Sequence, residues 1–384
     1  MSMPIIPERS TLSMNYHFIR NSVSFIRTYI KHRLPINNLA MSWKRYKTLW
    51  YLHEMEAGEF FLYRLWRKDL SRERASSFVG WKKHISSLMA LNPIQYRCMT
   101  ENKFIFYTYT LAFGIPSPKI YAIYDPHLSS INGFTIIKTI DQLIDFISQS
   151  DITQFVIKPV EGTRGQSVLI LLFDKERTEF RFSSGEPLTT DYIANVLQGY
   201  NYRGTSQSSF LVQERLTPHE STLELSEYVP FSYRALTLLD ESDNPHIISI
   251  YGKSATGKNV TDNRHAEGLV CLLDDTGLCY GARRSDLGEI FDRHPTDGFM
   301  LKGWRPPFYN QVCELALRLA KTFFLVRCVA WDITVAKNGV YVIEGNNPWN
   351  KAIQRVYDKG LYSGAFGEEA RKAIENGPSN SPWW

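Results

Sequence analysis

The chain has 384 residues, of which 43% are hydrophobic and 22% are charged, and its net charge is +5 at pH 7. This composition is that of a globular protein with a large core and about two or three domains. The longest apolar run, residues 168–173, is far shorter than the roughly 20 residues that cross a bilayer, which argues against a membrane-spanning protein.

The cysteines indicate a reducing compartment. There are five of them, without a CxxC pair, so neither a disulfide framework nor a zinc site is expected. Residues 10–50 are rich in Arg and Ser and contain no acid, which faintly resembles an organellar transit peptide. Because no apolar segment or cleavage signal follows, a secretory signal is not expected. The cysteine pattern favours the cytoplasm.

The N-terminal region is basic. Residues 1–100 contain 16 Lys and Arg against 6 Asp and Glu, and we interpret residues 1–90 as a basic helical region. Apolar side chains recur there at helical spacing, with basic residues between them: Trp43, Tyr46, Leu49, Trp50, Phe60, Phe61 and Leu65. Two interpretations are open, packing on the protein's own domain or peripheral contact with an anionic membrane. Nucleic acid is not an expected partner.

The rest of the chain mixes short helices and strands. The predicted helices are residues 93–113, 141–148, 191–197, 309–324 and about 368–375. The predicted strands are residues 119–124, 155–159, 168–173, 210–214, 232–239, 247–252, 269–273 and 278–282. Many antiparallel connections favour the α+β class. We divide this part into an α/β segment (91–150), a small lobe with a glycine loop (151–216) and a large lobe (217–384).

Residues 330–349 predict a β-hairpin in the large lobe. A two-residue loop of Asn338 and Gly339 would pair Asp332 with Gly345. We favour a three-residue loop that also includes Lys337, which places Asp332 opposite Glu344 with Asn346 on the same face. In that register Ile333, Val335, Tyr341 and Ile343 form the opposite, core face. Two adjacent carboxylates repel unless a cation lies between them, which suits Mg²⁺. An ordinary surface hairpin is the alternative.

Residues 156–167 read as strand, glycine loop and strand. A Walker loop or Rossmann turn requires a helix after the glycines, and the β-rich run 168–173 argues against one. A glycine hairpin around Gly162 and Gly165 can still cover a triphosphate with its N–H groups, and Lys158 would add a positive charge. A plain turn with a surface lysine is the alternative.

Three further segments carry polar residues beside apolar strands. Residues 211–216 end a buried strand whose backbone can bind an adenine edge, with Leu216 over the ring. Arg234 lies in an apolar strand, where an arginine usually has an anionic partner, either a carboxylate or a phosphate. Residues 261–268 form a dense polar loop, which either lines a site or is simply solvated.

Taken together, these pieces resemble the ATP-grasp ligases, and among them the sugar-transfer associated ATP-grasp group found near exopolysaccharide genes. The resemblance covers the chain from about Ser42 onward. The matching segments occur in the family's order: Glu101-Asn102-Lys103, Gly114-Ile115-Pro116-Ser117-Pro118, Val156-Ile157-Lys158-Pro159, Gln213-Glu214-Arg215-Leu216 with His219, Arg234 to Thr237, Thr261-Asp262-Asn263 to Glu267-Gly268, His294-Pro295-Thr296, Trp331-Asp332-Ile333 and Ile343-Glu344-Gly345-Asn346.

The resemblance implies an α+β ATP-grasp fold, in which two lobes grip ATP, with a helical N-terminal extension. It implies ATP-binding roles for Lys103, Lys158, Gly162, Gly165, Gln213, Glu214, Arg215, Leu216 and His219. It implies catalytic roles for Arg234 and Asn263. Asp332, Glu344 and Asn346 would hold one or two Mg²⁺ ions, with Mn²⁺ as a substitute. The chain departs from the family at Glu267, where glycine is common, and at the bulky Arg164.

The implied chemistry is that of a carboxylate–amine ligase. ATP activates a carboxylate as an acyl phosphate, and an amine then displaces phosphate. The substrates would be small molecules, with a sugar or glycan precursor as one option. Two other functions are open: a kinase on the same scaffold, and a non-catalytic module that binds nucleotide or a membrane surface.

Overall fold

The computed structural model describes residues 11–162, 165–206, 208–226, 229–255, 268–284, 290–350 and 353–376, with side chains from residue 19 onward. The helices are α1 (Thr11–Lys31), α2 (Leu39–His53), α3 (Ala57–Leu62), α4 (Arg72–Ser76), α5 (Trp81–Leu91), α6 (Cys98–Glu101), α7 (Lys103–Ala112), α8 (Ile140–Ser148), α9 (Thr190–Gln198), α10 (Tyr309–Thr322), α11 (Ile353–Val356) and α12 (Ala365–Glu375). The strands are β1 (Ile120–Tyr124), β2 (Ile136–Ile137), β3 (Gln154–Pro159), β4 (Leu169–Asp174), β5 (Glu179–Phe182), β6 (Pro187–Leu188), β7 (Asn201–Tyr202), β8 (Thr205–Ser206), β9 (Phe210–Glu214), β10 (Ser232–Leu239), β11 (Pro245–Ser254), β12 (Leu269–Leu273), β13 (Cys279–Arg284), β14 (Cys328–Ala336) and β15 (Gly339–Asn346). The chain forms two units, residues 1–90 with 350–384 and residues 91–349.

The first unit is helical and has its own aromatic core. Phe25 of α1 stacks on Tyr46 of α2 with ring centroids 4.7 Å apart, and both side chains are buried. Trp43 and Trp50 of α2 pack against this core, so the tryptophan-rich helix packs on its own domain. No described helix combines the length and the apolarity needed to cross a bilayer.

Polar contacts tie residues 353–376 to the N-terminal helices. Gln354 is fully buried; its Nε2 donates to the Val79 carbonyl at 3.0 Å, and its Oε1 accepts from the Val79 N–H at 3.0 Å. Asp358 pairs with Arg67 at 2.8 Å and with Arg74 at 3.1 Å. Residues 353–376 therefore pack with residues 1–90, and the lobe boundaries at residues 150 and 216 stay predictions.

The second unit contains a seven-stranded sheet with the order β2-β1-β9-β3-β4-β5-β6. Side chains of α8 and α9 pack on one face, in a core that includes Phe155 and Ile157 of β3. Because side chains alternate along a strand, Val156 and Lys158 lie on the opposite face. The fold thus leaves one face of this sheet, including a lysine, for other contacts.

A six-stranded sheet with the order β13-β12-β11-β10-β14-β15 lies in the same unit. Helix α10 covers one face, where Trp331 and Tyr233 are fully buried beside Leu319. The indole Nε1 of Trp331 donates to Thr237 Oγ1 at 2.7 Å, so its buried polar group is satisfied. The alternate residues of β10 and β14 lie on the other face.

Strands β14 and β15 form the predicted hairpin, and Asp332 lies opposite Glu344 as the sequence indicated. The predicted three-residue loop is wrong, because Ala336 pairs with Gly339 and leaves a turn of two residues. A bulge between Asp332 and the next pair then shifts the register by one residue. Turn and bulge together bring the two carboxylates opposite each other.

The bulge also changes which residues of β15 reach the core. Val342, which pairs with Ile333, is fully buried there. Tyr341 pairs with Thr334 instead, and Ile343 is the extra residue of the bulge. The prediction that Tyr341 and Ile343 form the core face is therefore wrong, because it assumed an unbroken alternation.

The predicted helix over residues 93–113 is interrupted at Asn102. This residue has extended backbone, with φ −93° and ψ 114°, and ends α6. Its side-chain oxygen accepts from the N–H groups of Phe104 and Ile105, both at 3.1 Å, which caps α7. Lys103 consequently becomes the first residue of α7.

Candidate functional site

A cleft between the two sheets of the second unit collects most of the predicted site residues. The cleft opens to solvent, and its empty space is about 1130 Å³ when the open part is included. Its lining residues come from both sheets, from α7 and from the glycine loop. The charged ones are Lys103, Lys158, Lys253, Arg215, Glu214, Asp332 and Glu344.

A row of paired residues crosses the second sheet on the face away from α10. Tyr251 pairs with Arg234, Arg234 with Asp332, and Asp332 with Glu344. Paired residues project on the same side, and so does Lys253, two residues along β11 from Tyr251. Across the four strands, two cations (Lys253 and Arg234) are therefore followed by two carboxylates (Asp332 and Glu344), and Lys253, Asp332 and Glu344 line the cleft.

Asp332 is held by two cations. Its Oδ1 accepts from Arg234 Nε at 2.6 Å, and its Oδ2 accepts from Arg234 Nη2 at 2.6 Å and from Lys253 Nζ at 3.3 Å. Burial by itself would raise the pKa of Asp332, but Arg234 and Lys253 outweigh it and lower the pKa to about 2. Asp332 therefore stays ionised at any physiological pH, with its charge already balanced.

Two lysines face Glu344 from the other side of the cleft. Lys103 Nζ donates to the Gly162 carbonyl at 3.0 Å and lies 3.9 Å from Glu344 Oε2. Lys158 is only 6% exposed. Burial lowers the pKa of Lys158, the positive charge of Lys103 lowers it further, and Glu344 opposes both, so the pKa is about 8. An anionic ligand would offset the repulsion between the two ammonium groups and would stabilise the charged form of both lysines.

The glycine loop is anchored to the start of α7. The Lys103 N–H donates to the Val160 carbonyl at 2.9 Å. Gly162 has no room for a Cβ, which would clash with the hydroxyl of Tyr200. Gly165 has φ +69°, a conformation that favours glycine. Residues 163–164, at the tip, lie outside the described part of the chain.

An apolar slot lies at Val156, two residues along β3 from Lys158 and on the same face of the strand. Val156 pairs with Gln213 on one side and with Ile170 on the other, so the three form a row across the first sheet. Leu216 and Ile343 also line the cleft. A slot of branched side chains beside a strand end suits a flat aromatic ring.

The polar side chains at the end of β9 already have protein partners. Gln213 Nε2 donates to the Pro118 carbonyl at 2.7 Å, and Glu214 Oε2 accepts from the Lys119 N–H at 3.1 Å. The strand ladder ends at Glu214, so the backbone of residues 215–216 lies outside it. Hydrogen bonds from this segment to a ligand would therefore come from the backbone, as expected for an adenine edge.

Ten of the predicted site residues line the cleft: Lys103, Lys158, Gly162, Gly165, Gln213, Glu214, Arg215, Leu216, Asp332 and Glu344. Four do not. Arg234 lies behind Asp332 as its ion-pair partner. His219 caps a short 3₁₀ turn, and its ring lies 5.1 Å from that of Phe308. The Asn346 amide donates to the Ala330 carbonyl at 3.3 Å. Asn263 lies outside the described residues.

Lys253 is the charged residue that the sequence reasoning missed. It lines the cleft, is 7% exposed and contacts Asp332. A signal was present in the sequence. Like Arg234, Lys253 is a lone basic residue in an apolar strand, where a buried charge usually has an anionic partner. Gly252-Lys253-Ser254 has the order of residues that ends a Walker motif, but position 247 is Ile where that motif requires Gly, so the motif assigns the lysine no role.

The cleft fits Mg²⁺ shared with a ligand better than a metal held by protein alone. Among the described residues, no cluster of three or more His, Cys, Asp and Glu side chains could hold a metal ion. Glu344 is partly exposed beside the lysines, whereas both oxygens of Asp332 are engaged by cations. Mg²⁺ commonly takes one or two carboxylates and completes its shell with phosphate oxygens and water, which this donor set allows.

Comparison with solved structures finds ligases and a carboxylase of low identity. D-alanyl-alanine synthetase A from Vibrio cholerae is 12% identical, with a TM-score of 0.41 over 74% of this chain and 66% of that one. Phosphoribosylamine–glycine ligase from Thermotoga maritima is 13% identical, with a TM-score of 0.43 over 73% and 57%. Biotin carboxylase from Campylobacter jejuni is 11% identical, with a TM-score of 0.43 over 78% and 52%. The chain spans between about half and two thirds of the length of these structures.

A search of curated proteins finds no match. A family model for sugar-transfer associated ATP-grasp proteins matches residues 86–366, which is most of the chain. The predicted fold class, α+β of the ATP-grasp type with N-terminal helices, is thereby confirmed. ATP-grasp proteins are ATP-dependent ligases that join carboxylates to amines. The chain belongs to the sugar-transfer associated ATP-grasp family.

Proposed function

We propose that the protein is an ADP-forming ligase that activates a carboxylate with ATP and joins it to an amine. The observation that carries the proposal is the cleft, in which Lys103 and Lys158 face Glu344 beside an apolar slot. In the bound state the adenine would occupy the slot at Val156 and Leu216. The triphosphate would lie along the lysines, under the glycine loop.

The proposed reaction has two steps. A carboxylate oxygen of the first substrate attacks the γ-phosphorus of ATP, the bond to the β,γ-bridging oxygen breaks, and ADP leaves with the bond's electron pair. The acyl phosphate is then attacked at its carbonyl carbon by the lone pair of the amine. Phosphate leaves, carrying one oxygen of the original carboxylate, and the amine proton passes to solvent. Such transfer depends on positioning and charge neutralisation, which buried lysines provide.

Six other residues have proposed roles. Glu344, with Asn346 and Asp332 on the same face, would hold Mg²⁺ or Mn²⁺, which neutralises phosphate charge when bound. Arg234 fixes the orientation of Asp332 through two hydrogen bonds. Lys253 would contact the transferred phosphoryl group or the substrate carboxylate. Asn263 keeps its predicted catalytic role as part of this proposal.

The family's link to sugar transfer suggests where the substrates come from. A carboxylate or amine on a sugar or glycan precursor fits the family's description. We place the reaction in the cytoplasm, where ATP is supplied and where the five cysteines, all free, remain reduced.

The affinity for Mg·ATP should fall as the pH rises through about 8. A triphosphate binds the ammonium form of Lys158, whose pKa is lowered to about 8 mainly by burial. Below that pH the ammonium is already present; above it, binding must take up a proton. Between about pH 7.5 and about pH 9.5 we expect a loss of about ten- to thirtyfold. Calorimetric titration in two buffers of different ionisation enthalpy should show about one proton taken up at the higher pH.

Lys158→Arg is the matched control, because a guanidinium stays charged across this range. Its affinity should change little with pH. An equally steep decline in this variant would assign the pH dependence to another group.

The activity is tested by screening pairs of carboxylates and amines for ADP release with Mg·ATP. Amino acids and sugar acids serve as carboxylates, and amino acids and aminosugars as amines. We expect ADP and free phosphate in equal amounts, dependent on both substrates and lost in Glu344→Gln. A phosphorylated product that accumulates without free phosphate would show a kinase instead. Protein that binds no nucleotide would favour the non-catalytic module that binds a membrane surface.

A further inference from the structure

Helix α1 has an apolar face that points away from its own core. Ile19, Val23, Ile26 and Ile30 are 61%, 47%, 41% and 70% exposed. Their spacing of four, three and four residues places them within an arc of about 60° on the helix. The buried face of α1 is a different one, formed by Phe25 and Tyr29.

One flank of this stripe is basic. Arg20, Arg27 and Lys31 are exposed and lie about 90° round the helix from the isoleucines. None of them pairs with a carboxylate of the described residues. Residues 10–50 of the sequence contain no Asp or Glu. The stripe is thus apolar, with a flank whose positive charge is not locally neutralised.

We propose that this face of α1 binds an anionic lipid surface, with the helix lying in the plane of the membrane. Apolar side chains enter the headgroup region and flanking cations meet lipid phosphates, which is how amphipathic basic helices bind membranes. The helix proposed to bind the membrane is α1 and not the tryptophan-rich α2, because Trp43, Tyr46 and Trp50 of α2 pack in the core of the first unit.

The positive charge beside the stripe also argues against a second copy of the chain as the partner that covers it. A symmetric pairing of two α1 helices through the stripe would bring Arg20, Arg27 and Lys31 of each copy close together. No acid within residues 10–50 could offset that repulsion. An anionic surface, by contrast, is favoured by each cation.

The test is sedimentation of the full-length protein with vesicles. One set contains phosphatidylcholine alone, and the other contains about 30% phosphatidylglycerol. We expect binding to the anionic vesicles that weakens when salt rises from about 0.1 M to about 0.5 M. Ile19→Gln with Ile30→Gln should lower the partition coefficient about tenfold or more. Arg20→Gln with Arg27→Gln should lower it by about ten- to thirtyfold.

Two matched controls use exposed residues of the same unit that lie off the stripe. Tyr51→Gln with Leu52→Gln removes exposed apolar side chains from α2. Arg64→Gln with Lys68→Gln removes two exposed charges. Both should bind as the wild type does, and unchanged circular dichroism will show that each variant is folded.

Three results would overturn the proposal. The wild type could fail to sediment with anionic vesicles, or the controls could lower binding as much as the stripe variants. The third is a dimer, seen by analytical ultracentrifugation, that the isoleucine variant dissolves while vesicle binding is absent, which would assign the stripe to a second copy. Nucleotide binding is measured separately, so failure here leaves the proposed ligase activity standing.

Discussion

Replacing Lys158 with methionine should make the unliganded protein more stable and yet remove most of its affinity for ATP. The pKa of Lys158 falls from 10.5 to about 8, mainly because of burial, with Lys103 adding to it. Such a shift corresponds to a penalty on the order of 3 kcal/mol for keeping the ammonium in the folded protein below pH 8. Methionine has similar volume and no charge, so the free energy of unfolding at pH 7 should rise by up to that amount.

The gain in the free energy of unfolding of the Lys158→Met variant should decrease as the pH rises. It is fully present below about pH 8, where Lys158 is charged in both folded and unfolded protein. It fades as the pH approaches 10.5, because the lysine is then neutral in the folded state and becomes neutral in the unfolded state too. Urea unfolding at about pH 7 and about pH 10 measures both ends.

The affinity of the Lys158→Met variant for Mg·ATP should fall, although its stability rises. Losing a buried ammonium that would contact phosphate in the proposed complex should weaken the binding of Mg·ATP by at least about 100-fold, equivalent to about 3 kcal/mol. Lys138→Met, which removes an exposed lysine of the same unit outside the cleft, should leave both stability and affinity unchanged. A Lys158→Met variant that binds ATP as tightly as the wild type would place the triphosphate elsewhere.

Asp332→Asn should lose both fold stability and turnover, whereas Glu344→Gln should lose turnover alone. Neutralising Asp332 leaves Arg234 and Lys253 facing each other in a buried site without their carboxylate. Breaking such a pair from one side typically costs about 3 to 5 kcal/mol, a large part of a domain's stability. Glu344 is partly exposed, and its distance of 3.9 Å from Lys103 makes a weak ion pair.

A double variant separates charge imbalance from simple misfolding. Asp332→Asn with Lys253→Met removes one of the two stranded cations and should regain part of the lost free energy of unfolding. The coupling energy follows from the urea unfolding of four proteins: the wild type, Asp332→Asn, Lys253→Met and the double variant. Additive effects of the Asp332 and Lys253 substitutions would show that the contact at 3.3 Å is not an energetically coupled pair.

The sequence predicted the elements well where apolar patterning was strong. Residues 232–239 and 269–273 are strands with the predicted limits. The register of the hairpin was predicted at its functional end, where Asp332 faces Glu344, but not at its tip. A two-residue turn and a bulge compensate each other, and alternation rules contain no signal for a bulge.

The arrangement of the site depended on contacts between distant residues. Asn102 shows what local rules could still have found, because asparagine favours helix caps and interrupts the predicted helix. Lys253 and Asp332 are neighbours only because β11 and β14 both flank β10, which sequence spacing does not reveal. For the same reason the sequence left open whether the anionic partner of Arg234 is a carboxylate or a phosphate, and in the structure it is the carboxylate of Asp332.

The central claim, that ATP activates a carboxylate, is tested most directly with oxygen-18. The carboxylate that supports the fastest ADP release is labelled on both oxygens and turned over with unlabelled Mg·ATP and amine. The proposed acyl phosphate predicts that each phosphate released carries one labelled oxygen, seen as an isotope shift in its phosphorus resonance. Phosphate without label, with both labelled oxygens retained in the product, would contradict the proposed function.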